Sequence, residues 1–174
     1  MFFSFLISAV IVQRLIELFI ARKNRKWAKQ QGGIEFGAGH YKYLVLMHVA
    51  FFVSLFIEYS FHPSLHRQWM IFLLLFLIVQ FVRLWSLISL GREWNTRIIV
   101  IPHATRVAKG PYRFLKHPNY LVVSAEIFLL PVIFEAYVTA IVFTIINVIL
   151  LVFVRIPIEE TALQLLSEDK SRFS

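Results

Sequence analysis

The chain has no cysteine and few charges. Without thiols it can form neither disulfides nor zinc–thiolate sites, and thiol catalysis is excluded, while the redox compartment stays open. Charged residues make up 16% of the 174 positions, against 59% hydrophobic residues and 18 Phe. A mean hydropathy of +0.71 means more apolar surface than one soluble core of this length can hide, so lipid must be part of the solvent. The net charge of +8 would suggest nucleic acid in a soluble protein. Here the basic residues flank apolar runs, as membrane anchoring requires, and nucleic acid is set aside as a partner. The first twenty residues lack a basic leader and a small-residue cleavage site, so they are expected to be a retained membrane helix. No internal repeat, low-complexity tract or Ser- or Pro-rich linker divides the chain, and residues 1–174 are read as a single membrane domain.

What the sequence does have is long apolar runs. A membrane-spanning helix needs roughly 20 mostly apolar residues, and Phe2 to Ala21, Tyr43 to Phe61 and Trp69 to Leu90 qualify. The stretch from Tyr120 to Ile156 is too long for one crossing. Pro131 and Glu135 interrupt it, so two helices with a tight turn near residues 131–136 are expected. The resulting fold class is an all-α integral membrane protein with five transmembrane helices. Basic residues mark the cytoplasmic connections. Arg22, Lys23, Arg25, Lys26 and Lys29 follow the first helix, and Arg92, Arg97, Arg106, Lys109, Arg113 and Lys116 follow the third. The other connections are nearly free of them. Alternation then places the N-terminus outside and the C-terminus in the cytoplasm, where Lys170 and Arg172 follow Arg155.

Two short stretches hold the polar residues with chemical potential. The segment from Gly91 to His117 is too long for a simple turn, and its IIVIP run, Trp94, Tyr112 and Phe114 predict an ordered loop beside the membrane. It ends in GPYRFLKHPNY, residues 110–120, where Pro118 is placed to open the fourth helix with His117 just before it. A helix N-terminus offers free N–H groups to an anion, although Lys116 and His117 would also sit well at lipid headgroups. The second stretch is RIPIEE, residues 155–160. Pro157 is expected to end or kink the fifth helix, leaving Glu159 and Glu160 on the first turn of a short cytoplasmic helix from Ile158 to about Ser167. Carboxylates there stabilise the helix and Arg155 with Glu159 makes an i,i+4 pair; they also make a receptor for a cation.

In order and spacing, GPYRFLKHPNY followed by RIPIEE and Leu163 resembles the two signature elements of the isoprenylcysteine carboxyl methyltransferase family. Lys116 stands where the family pattern usually has Arg. The resemblance implies a membrane enzyme that binds S-adenosylmethionine at the cytoplasmic side and admits a lipid-like acceptor from the bilayer. On that implication Gly110, Tyr112, His117, Pro118, Tyr120, Glu159 and Glu160 take cofactor-binding roles, and Arg155 belongs to the same site. Residues 1–90 then form the acceptor-pocket part, and 91–174 the cofactor-binding loop, helical hairpin and terminal helix.

Other polar residues have simpler explanations. Arg14 and Glu17 suit an internal i,i+3 ion pair. Gln80, Arg83 and Glu126 fall within apolar runs, where ionisable side chains usually face a bundle interior or wet cavity. Arg83 is either snorkelling to the interface or orienting an acceptor. His62 and His66 have metal-ligand spacing, but Pro63 interrupts the turn and no acid is near, so no metal is expected. The GGIEFGAGHY run at 32–41 lacks the strand of a dinucleotide fingerprint and reads as a flexible entry into the second helix.

Methyl transfer from a sulfonium to an anionic oxygen removes two opposite charges, which a poorly hydrated site favours when alignment is good. Arg83 or Arg155 would position the acceptor. The compact form resembles bacterial members that methylate alkylpyrone hydroxyls, and O-methylation of a long-chain small molecule is the expected activity. Prenylcysteine carboxyl methylation and phospholipid N-methylation are the neighbouring possibilities. A membrane sterol reductase shares the architecture but has a much longer chain. A small transporter or assembly subunit would explain the helices without the paired motifs. The expected setting is the bacterial cell membrane, with the site facing the cytoplasm.

Overall fold

The computed structural model describes residues 1–102 and 107–172, with side chains through 164. Arg106 lies outside the described residues, as do the side chains of Lys170 and Arg172. Among the described residues there are six α-helices: α1 (Phe2–Gln30), α2 (Ala38–Phe61), α3 (Trp69–Leu90), α4 (Pro118–Ile133), α5 (Tyr137–Leu150) and α6 (Ile156–Arg172). Two three-residue strands, β1 (Ile34–Phe36) and β2 (Ile98–Val100), pair antiparallel, with Glu35 opposite Ile99. The packing divides into two units. One comprises Met1–Ala38, Leu90–Arg106 and Ile158–Ser174; the other comprises Gly39–Ser89 and Val107–Pro157.

Among the described residues, α1, α2, α3 and the continuous helical stretch Tyr137–Gln164 are long and apolar enough to cross a membrane. The protein is an integral membrane protein built on these helices. With 16 residues α4 is shorter, and it is also well covered: Val122, Glu126, Ile127 and the run Leu129–Ile133 are all buried. The exposed side chains of α3 are apolar, and those of α2 are apolar between Lys42 and Ser60 near its two ends, with Leu46, Val53, Leu74, Ile78 and Phe81 among them, as lipid contact demands.

In the first unit, α1 does not stop at Ala21 where its apolar run ends. Its backbone hydrogen-bond ladder continues through the basic residues to Gln30, because helix formation is indifferent to side-chain charge when Lys and Arg are good helix formers. Buried Asn24 secures this extension by donating to the carbonyls of Gly91 (3.1 Å) and Trp94 (2.7 Å). The GGIEFGAGHY run is therefore no flexible entry. Its centre forms β1, so the all-α expectation is corrected by one small hairpin-like pairing whose strands lie 62 or more residues apart. Arg97 bonds Glu35 across the strands, and Lys29 lies 3.6 Å from the same carboxylate.

In the second unit, α4 and α5 pack as a hairpin. The turn lies where Pro131 and Glu135 place it, but its geometry is unexpected: Glu135 takes φ +56°. Ala136 N–H reaches Pro131 O (3.0 Å) and Glu135 N–H reaches Val132 O (3.2 Å), the double bond of a Schellman ending usually given to glycine. Glu58 of α2 then caps α5, accepting from the N–H groups of Val138 (3.0 Å) and Thr139 (2.8 Å). His66 belongs to the α2–α3 connection, where its Nδ1 accepts from Gln68 N–H at 2.9 Å.

Pro157 does not end the helix. Residues 151–155 form a π-helical turn in which Ile156 N–H bonds Leu151 O, and α6 begins at once with Ile156. The wider turn absorbs the donor that proline lacks and gives its ring room. Glu159 still falls in the first turn of α6.

Candidate functional site

GPYRFLKHPNY folds back on itself. Gly110 opens a 3₁₀ turn, Gly110–Arg113, with φ +56°. A Cβ there would lie 2.0 Å from Ser89 Oγ and 2.9 Å from Trp85 Nε1. Glycine is thus needed twice, for its backbone angle and for the close approach of the loop to the end of α3. Pro118 is buried at the first position of α4, with His117 as the residue preceding the helix. Asn119 Nδ2 donates to Tyr112 Oη at 2.9 Å, tying the 3₁₀ turn to the helix that follows it.

His117 stacks on Tyr120, with ring centroids 5.1 Å apart and planes 14° from parallel. Tyr120 in turn receives Arg155, whose Nε donates to Tyr120 Oη at 3.1 Å and whose guanidinium lies over the ring at 5.7 Å. Arg155 is buried. Its position follows from the π-helical turn, of which it is the last residue. Beneath Tyr120 a polar track continues: Ser124 Oγ donates to Tyr120 O, and buried Asn147 of α5 donates to Ser124 Oγ, both at 2.9 Å.

The structure therefore brings together Gly110, Tyr112, His117, Pro118, Tyr120 and Arg155 in one unit. Glu159 lies on the first turn of α6 and Glu160 just beyond it, because α6 begins at Ile156 rather than at Ile158; both are half-buried and within the other unit. Arg83 lies apart from the aromatic group in its bonding: its Nη1 donates to Glu126 Oε2 at 2.9 Å, while Gln80 Nε2 donates to Glu126 Oε1 at 2.7 Å. The three polar residues of the apolar runs satisfy one another, as burial in a low dielectric requires. Arg14 and Glu17 pair at 3.0 Å as their spacing predicts.

Several residues of weight carried no sequence signal. Asn24, Glu58 and Asn147 act through partners 23 to 81 positions away. His40, on the first turn of α2, has both ring nitrogens buried with no hydrogen-bond partner among the described residues, and Arg155 is near enough for its charge to act on it. Only its place at a helix start within an otherwise polar-poor chain could have drawn notice.

The arrangement offers stacked aromatic rings beside a buried guanidinium, a set of groups that suits a ligand having a planar base and a carboxylate. Residues 70–165 match the model of the "Isoprenylcysteine carboxyl methyltransferase (ICMT) family". The chain is also 47% identical over 163 residues, 93% of its own length and 96% of the relative's, to the "Uncharacterized protein YpbQ" of Bacillus subtilis (strain 168). No solved structure matches it.

Proposed function

The chain belongs to the isoprenylcysteine carboxyl methyltransferase family, and from that premise we propose a membrane methyltransferase that uses S-adenosylmethionine to O-methylate a long-chain lipid-like acceptor such as an alkylpyrone. The observation that carries this reading is the tie between the two motifs: Arg155 is bonded to Tyr120, and Tyr120 is stacked on His117. The donor set fits the cofactor. When bound, S-adenosylmethionine supplies an electrophilic methyl group on a sulfonium.

The protein's own residues then have distinct tasks. The rings of Tyr112, His117 and Tyr120 offer faces for a planar base, held by Gly110 and Pro118, which fix the loop and the start of α4. Glu159 and Glu160 accept from an ammonium group or ribose hydroxyls. Arg155, and Arg83 where Glu126 shares it, orient the acceptor's oxygen, while the apolar helices hold its chain and exclude water. We place the N-terminus outside and the C-terminus in the cytoplasm of a bacterial cell membrane. Five crossings follow if α4, short but covered by protein, counts as one.

The test is direct. Membranes containing the protein are incubated with radiolabelled S-adenosylmethionine and a series of alkylpyrones, a prenylcysteine analogue and a phospholipid amine, and the lipid extract is counted. Label should enter the long-chain pyrones first. Preference for the prenylcysteine would return the protein to the family's name-giving reaction, preference for the amine would replace O- by N-methylation, and an unlabelled extract would sink the enzyme reading.

A further inference from the structure

Half-buried His40 has no task so far. Its two ring nitrogens are shut from solvent and meet no hydrogen-bond partner among the described residues. Each such unmade bond costs about 1–3 kcal/mol, so a trapped water or a ligand must answer it when the protein works. Two observations favour a ligand. The nearby charge is Arg155, already bonded to Tyr120, on which His117 stacks in the candidate site. His40 also stands where α2 begins, at the edge of an apolar run through which a lipid-borne molecule would present its polar end.

An acceptor arriving from the bilayer comes in its neutral form, because an apolar surrounding disfavours the ionised oxygen. Its hydroxyl brings a proton that must leave. We propose that His40 hydrogen-bonds the acceptor's reacting hydroxyl and takes its proton as the oxygen is methylated, with Arg155 facing the charge that develops. The step balances. The O–H proton passes to an imidazole nitrogen, the freed electron pair forms the O–CH3 bond, the C–S bond of the donor breaks with its pair returning to sulfur, and the imidazolium later gives the proton to water. Imidazole, with an ordinary pKa of about 6.5, is suited to this near neutrality. Arg155 is the charged group acting on it from outside α2, and Tyr41 and Lys42 follow it on α2 itself.

The inference rests on the methyltransferase reading, and the experiment separates the two. Methyl transfer to a long-chain hydroxypyrone is followed against pH for the wild type, His40→Gln and His40→Asn in the same detergent, with S-adenosylhomocysteine stabilisation as the control for folding. The wild-type rate should rise through the imidazole range. The variants should lose about 10²- to 10⁴-fold near neutral pH, recover as the acceptor ionises by itself at higher pH, and keep S-adenosylhomocysteine binding. In a cofactor-free sample the imidazole resonance of wild-type His40 should move on addition of the hydroxypyrone but not of its methyl ether, a readout that survives if both variants fail to fold. Variants with the wild-type pH profile, or a resonance indifferent to the hydroxypyrone, would overturn the role of His40 alone. A wild type that labels no acceptor would overturn the enzyme reading and this inference together.

Discussion

Two carboxylate–arginine pairs in this protein have the same chemistry and opposite settings. Glu126 and Arg83 meet at 2.9 Å with side chains 5% and 11% exposed, inside helices whose outer faces are apolar. Glu35 and Arg97 meet across β1 and β2 with side chains 14% and 28% exposed, joined by Lys29. In the first pair, water cannot take the place of a lost partner. In the second it can. Whether an arginine of this protein serves the fold or the reaction therefore depends less on its charge than on what would replace its partner.

The largest effect should come from breaking the deep pair on one side. Glu126→Leu leaves the Arg83 guanidinium buried opposite an alkyl chain, and such a loss costs about 3–5 kcal/mol, enough to remove most folded protein from detergent extracts. Adding Arg83→Leu should restore folding, since exchanging a buried ion pair for apolar residues is often neutral. The double variant then decides what Arg83 does. If it recovers heat stability and S-adenosylhomocysteine binding but not turnover of the hydroxypyrone, Arg83 orients the acceptor. If it recovers turnover as well, the pair only joins α3 to α4.

Next is Gly110→Ala. The new Cβ meets Ser89 Oγ at 2.0 Å and the backbone keeps φ +56°, so the 3₁₀ turn must move away from α3 and carry Tyr112 with it. A loss of about 1–3 kcal/mol is expected from strain of this kind, read as a lower melting temperature together with weakened S-adenosylhomocysteine binding. Adding Ser89→Gly, which removes the opposing hydroxyl, should return part of both. If Gly110→Ala alone changes neither, the loop is not held as the structure has it.

A smaller change is expected from Glu159→Gln and Glu160→Gln. As partly exposed charges within a continuous helical stretch they should each contribute about 1 kcal/mol or less, so melting temperatures without ligand should barely move. The ligand role predicts that the stabilisation given by S-adenosylhomocysteine shrinks in at least one of them. Equal stabilisation in both variants and the wild type would leave the two acids as charges on a helix surface only.

These tests fall on residues that differ in how readily the sequence betrays them. The ends of α3 were legible because Gly91 follows the last apolar residue, and the α4–α5 turn because Pro131 and Glu135 break a run too long for one crossing. The start of α4 was legible from Pro118. The motif cluster was legible as a list of residues, since the family pattern singles them out, yet its bonding was not: the stack of His117 on Tyr120 and the reach of Arg155 to Tyr120 Oη depend on the π-helical turn at 151–155. Pro157 signalled a break because local rules count its missing N–H, while the turn before it had already displaced that bond. The strands escaped notice for another reason. Three residues of β1 have no helical alternative to betray them, and their partner lies more than sixty positions away. His40 and Glu58 lie near opposite ends of α2, and only the fold says that Glu58 caps α5 while the ring nitrogens of His40 meet no partner among the described residues.

The shallow pair gives the smallest effect and completes the contrast. Burial alone would raise the pKa of Glu35, but the hydrogen bond and charge of Arg97, aided by Lys29 and Arg25, outweigh it and hold the carboxyl below its ordinary 4.5. A carboxylate with a depressed folded-state pKa adds stability that is fully present above its unfolded value and is lost as pH falls through the folded one. The β1–β2 pairing should therefore be insensitive to pH from neutrality down to about 5 and weaken below 4.5, where Glu35 takes up its proton. Glu35→Gln should flatten that acid limb at a cost of about 1 kcal/mol or less at neutral pH, because the site is partly open to water and salt. Amide exchange of Ile34, Phe36, Ile98 and Val100, compared between the two proteins at pH about 4 and about 7, reads the strand pairing itself. If Glu35→Gln proves as damaging at neutral pH as Glu126→Leu, the shallow pair is as dry as the deep one, and the distinction drawn from their exposure fails.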